Sequence, residues 1–72
     1  METIIGNRIS DLENELAKEN VGLANRIILQ YSLVKLYRAE YLINVYLDNE
    51  TEANQFKVLY QQENTKLVNL YN

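Results

Sequence analysis

The 72-residue sequence predicts an all-α fold: an antiparallel helical hairpin with a long N-terminal helical region, continuous or hinged at Gly22. Three observations predict it. Proline is absent and glycine occurs only at Gly6 and Gly22, so almost nothing interrupts a helix. Apolar residues recur three and four positions apart in three successive segments, which is the period of a helix face. The second and third segments are separated by Asp48-Asn49-Glu50-Thr51, all turn or N-cap types, and so short a connection sets consecutive helices antiparallel. The expected layout is one helical domain over residues 1–72, with helices at about 3–20, 22–47 and 51–71.

The first segment carries the stripe Ile5, Ile9, Leu12, Leu16, and Arg8, Asp11, Glu13, Glu15 and Lys18 fall on a solvated face. Thr3 is placed to cap its start, with Glu2 near the positive end of the helix dipole. The pattern weakens at Glu19-Asn20-Val21-Gly22, a helix stop or a hinge within one helix; the sequence leaves both open.

The second segment is the most apolar. Seventeen of the 25 residues at 23–47 are apolar when Ala and Tyr are counted, too many for one stripe. One series runs Ile27, Tyr31, Val34, Arg38, Tyr41, Val45, and another runs Leu29, Leu33, Leu36, Glu40, Ile43, Leu47, so more than one face asks for burial. In the third segment Asn49 or Thr51 is expected to cap a helix whose apolar face follows Ala53, Phe56, Leu59 or Tyr60, Glu63, Leu67 and Leu70.

Composition excludes several function classes. With neither Cys nor His there is no disulfide and no Cys/His metal site. The seven basic residues are scattered among ten acidic ones, net charge −3, without the basic stripe that nucleic acid requires. Arg26, Lys35, Arg38 and Glu40 interrupt the most apolar stretch, so a membrane span is not expected, and the first six residues lack the pattern of a signal peptide. A cytoplasmic protein is the expectation. No phosphate loop or nucleophile elbow is present, and no cofactor is expected. Glu40 and Glu63 stand on apolar stripes, where each reads as a rim residue or a partner for Arg38 or Lys66. The chain therefore reads as non-enzymatic.

The remaining signal is the apolar surplus. Five of the six tyrosines lie in or opposite the second segment, and Tyr joins apolar area to a polar tip, as interfaces favour. The residues expected to meet a partner are Ile27, Tyr31, Val34, Leu36, Tyr37, Tyr41 and Val45. On this reading Leu36→Glu or Tyr41→Glu abolishes binding and Lys57→Glu is tolerated.

The opening of the third segment, with Ala53, Gln55, Phe56, Gln61 and Gln62, resembles the second helix of the small needle co-chaperones of bacterial type III secretion. The resemblance covers residues 51–63 closely and the rest only as helix–turn–helix; the part before the turn is longer than the family pattern. It implies a cytoplasmic co-chaperone that binds and stabilises a larger helical-repeat chaperone, the two holding the needle subunit unpolymerised. It also implies self-association or instability when the small member is alone. The competing reading is a homo-oligomeric helical bundle acting as a structural or regulatory adaptor.

Overall fold

The computed structural model describes residues 4–71, so the expected cap at Thr3 and charge at Glu2 lie outside the described residues. Those residues form three helices and no strand: α1 (Ile4–Leu16), α2 (Leu23–Tyr46) and α3 (Glu50–Tyr71). The fold is the all-α hairpin the sequence predicts, α2 and α3 antiparallel, with α1 folded back along α2.

The first helix ends at Leu16, the last residue of its apolar stripe, and not at the expected bound near residue 20. Its last turn closes through Ala17 N–H to Glu13 O and Lys18 N–H to Glu15 O. Arg26 Nη1 then reaches back 3.3 Å to the Leu16 carbonyl, one of the orphan acceptors at a helix C-terminus. Gly22 is the N-cap of α2 (φ −68°, ψ 159°), so the helical region is interrupted there and not continuous. That backbone is open to any residue, so Gly22 is not required for its conformation.

The α2–α3 connection is a Schellman motif. Asp48 takes a left-handed conformation (φ 57°), Asn49 N–H bonds Asn44 O at 2.9 Å, and Asp48 N–H bonds Val45 O at 3.1 Å. Asn49 occupies the N-cap position of α3, its carbonyl accepting from Ala53 N–H, while its side-chain Nδ2 donates to Asn44 Oδ1 at 3.3 Å. Thr51 lies inside the helix.

The α2 helix is central and touches both others, whereas α1 and α3 do not pack against each other. The principal extents are 39 × 27 × 13 Å, so the thin dimension is close to one helix diameter of about 10–12 Å. The radius of gyration, 12.8 Å, exceeds the roughly 11 Å of a compact chain this long. A layer this thin encloses little. Ile9, Leu33, Ala53 and Leu67 are the buried apolar residues, and Gln30 and Asn44 are buried with them.

Candidate interaction surface

Three sides of α2 meet different surroundings. The side toward α3 carries Gln30, Leu33, Tyr37, Tyr41 and Asn44, spaced three and four apart. Tyr37 lies against Phe56 with ring centroids 6.3 Å apart, and Tyr41 stacks on Tyr60 at 5.7 Å. Gln30 Nε2 donates to the Glu63 carbonyl at 2.8 Å and to Glu63 Oε1 at 3.3 Å, and Asn44 Nδ2 donates to Glu40 O at 2.8 Å. No buried side-chain N or O among the described residues lacks a partner. These polar positions break the apolar series in the sequence, which is why this seam escaped the periodicity.

The side toward α1 is the Leu29, Leu33, Leu36 stripe, met by the Ile5, Ile9, Leu12, Leu16 stripe of α1. A helix of 13 residues spans about 19 Å and cannot cover the 24 of α2, about 36 Å. Ile43 and Leu47, at the far end of the same stripe, accordingly stay exposed.

The inner groove between all three helices is mixed: Glu13, Arg26, Gln30, Glu63 and Lys66 line it together with Leu16, Ala17, Leu33 and Leu70. Tyr37 donates from its hydroxyl to Glu13 Oε1 at 3.4 Å. Burial pushes that hydroxyl above the ordinary tyrosine value, and the Glu13 and Glu63 carboxylates push it further the same way. Glu63 pairs with Lys66 at 2.8 Å and Glu40 is half-buried, its carbonyl held by Asn44. Among the described residues no three acidic side chains converge as a metal would need.

The third side of α2 faces away from both neighbours, and there the apolar surplus lies. Ile28 is 62% exposed, Leu42 51% and Tyr46 86%. The seven residues expected to bind a partner are thus divided. Tyr31 and Val45 are exposed, and Leu36 lines a groove with Leu12 of α1. Ile27 and Val34 are half-buried. Tyr37 and Tyr41 are half-buried and make intramolecular ring contacts with Phe56 and Tyr60 of α3. Tyr41→Glu therefore breaks the hairpin and says nothing clean about a partner. Ile28, Leu42 and Tyr46 were missed as surface residues because they fall between the two series.

No helix among the described residues is long and apolar enough to cross a membrane. Fold and surface together define a small three-helix layer with one apolar side open. Compared with known proteins, the chain matches no family model, no curated protein and no solved structure.

Proposed function

We propose that this chain is a non-enzymatic interaction protein that works as the small member of a helical complex. The observation that carries the reading is the outward side of α2, where Ile28, Tyr31, Leu42, Val45 and Tyr46 are all about half exposed or more. A monomer of this mass exposes about 4,700 Å² when compact, and this chain exposes 5400 Å², an excess of about 700 Å². One partner in a standard interface buries about 800 Å². The excess is spread over a flat chain, and the outward side of α2 is one part of it.

The particular role follows from the sequence resemblance: a cytoplasmic co-chaperone that stabilises a larger helical-repeat chaperone and with it keeps a type III secretion needle subunit unpolymerised. The open apolar face and the small core support a dependent partner of this kind. The test is light scattering and thermal unfolding of the chain alone and co-expressed with helical-repeat chaperones of its own genome. A heteromer with a raised Tm is expected. A monodisperse monomer of high Tm that pairs with none overturns the reading, and a discrete dimer unchanged by co-expression replaces it with the homo-oligomeric one.

A further inference from the structure

The outward side of α2 is more ordered than an apolar patch. Ile28, Tyr31, Lys35, Arg38, Leu42 and Val45 are spaced three, four, three, four and three apart, and all six are exposed. This is the a/d spacing of a coiled-coil seam, sustained over about 25 Å. Its layers are apolar at both ends and basic in the middle.

The charges within it are of one sign. Of the seven basic side chains, Lys18 pairs with Glu15, Lys66 pairs with Glu63, and Arg26 holds the Leu16 carbonyl. The other four, Arg8, Lys35, Arg38 and Lys57, have no carboxylate partner among the described residues. Lys35 and Arg38 lie in the seam itself; Arg8 lines the groove between α1 and α2 together with Asp11, and Lys57 lines the groove beside Val45 together with Asp48 and Glu50. Lys35 lies over the Tyr31 ring, 5.3 Å from its centroid, which leaves its charge on the seam. Within an acidic chain, the two cations inside the seam, Lys35 and Arg38, make no ion pair among the described residues.

A second copy does not satisfy this seam. Antiparallel pairing of α2 with itself in the register that sets Ile28 against Val45 and Tyr31 against Leu42 also sets Lys35 against Arg38. In-register parallel pairing sets each cation against its own copy. Both place four like charges in the middle layers, where burial without a counter-charge is costly.

We infer that the Ile28–Tyr31–Lys35–Arg38–Leu42–Val45 seam receives an amphipathic helix of another protein, apolar at both ends of its stripe and carrying Glu or Asp at the central a and d positions. This rests on the reading of the chain as an interaction protein and specifies the chemistry of the partner. The apolar layers supply area, and the central ion pairs fix register and select against wrong helices.

The test uses three labelled synthetic helices of three heptads, identical except that the central a/d pair is Glu-Glu, Leu-Leu or Lys-Lys. Binding to the full chain is followed by fluorescence anisotropy, and binding to phosphatidylglycerol vesicles by co-sedimentation. The Glu-Glu helix is expected to bind at least tenfold tighter than Lys-Lys, and the double variant Lys35→Glu, Arg38→Glu to reverse that order. In sedimentation, the double variant Lys35→Leu, Arg38→Leu is expected to dimerise where the natural chain does not. Equal binding of all three helices shows an interaction protein without the inferred selectivity and sinks this inference alone. Binding to vesicles but to no helix, or a natural chain already dimeric through this side, overturns it too; a chain that binds neither helix nor co-expressed chaperone overturns the broader reading as well.

Discussion

Leu33 and Leu42 are the same residue on the same helix, nine positions apart, and their burial differs from 1% to 51% exposed. Truncating each to Ala changes helix propensity equally, so the difference between the variants reports packing alone. Leu33 sits where α1 and α3 both reach α2. Leu→Ala at a fully buried site costs about 2–5 kcal/mol, and a layer this thin can relax around the loss, which points to the lower half, about 2–3 kcal/mol. That is a large share of the roughly 4–11 kcal/mol expected for 72 residues, and it lowers Tm by roughly 10–20 °C. Leu42→Ala removes side-chain area already half in water, a loss of about 1 kcal/mol or less. Urea unfolding followed by far-UV circular dichroism on the isolated chain separates the two, and Leu33→Val, costing less, covers the case in which Leu33→Ala does not fold. Equal losses, or a larger loss at Leu42, would mean that the outward side of α2 is buried in the isolated protein and that the faces are misassigned.

Three further outcomes follow from local geometry. Gly22 caps α2 in an extended backbone with no side-chain cap, and a Cβ added there meets nothing within 4 Å; Gly22→Asp should raise stability by about 0.5–1 kcal/mol, seen as a higher Tm. A loss of stability would show instead that the position needs glycine as a hinge. Asp48 is held at φ 57°, so Asp48→Gly should stabilise by about 0.5–1 kcal/mol and Asp48→Val should destabilise, again by Tm. The raised Tyr37 value means the folded state holds that proton more tightly than the unfolded chain. Its contribution is therefore complete below about pH 10 and is lost as pH rises through the folded value. Urea midpoints measured from pH 8 upward should fall less steeply for Tyr37→Phe than for the natural chain, and parallel curves would show that neither burial nor the Glu13 and Glu63 carboxylates hold the Tyr37 proton.

The helices were legible because their signals are local. Three-and-four spacing, the absence of proline and the Asp48–Thr51 cluster need no tertiary information, and the α1 stripe is the face that packs. The end of α1 was not legible, since Arg26 comes from ten residues away to hold the Leu16 carbonyl. The site was half legible. An apolar excess on α2 is a matter of counting, but its direction depends on where α3 docks, and that seam contains Gln30 and Asn44. Counting apolar residues passes over both. The consequence was a rotation about the helix: Tyr31, Arg38 and Val45 belong to the open side as the series suggested, whereas Ile27, Val34 and Tyr41 give way to Ile28, Lys35 and Leu42.

That inversion, amides buried and Tyr46 in water, bears on how the hairpin chooses one register. An all-apolar α2 could pair with α3 through several of its faces at similar energy, since apolar contact is non-directional. Gln30 is directional: its Nε2 reaches both the carbonyl and Oε1 of Glu63, 33 residues away, and a slip of one turn loses both bonds. Replacing Gln30 by Leu tests the idea. The Glu63 carbonyl lies within α3 and keeps its helical hydrogen bond, so no buried acceptor is orphaned, and the change in stability should stay within about 1 kcal/mol. What should change is uniqueness. Spin labels at Arg38 and Gln61, both exposed, should give one narrow distance distribution in the natural background and a broad or split one in Gln30→Leu. A distribution that stays narrow assigns register to the tyrosine stacks alone, and a stability loss above about 2 kcal/mol makes Gln30 a packing residue whose polarity is incidental.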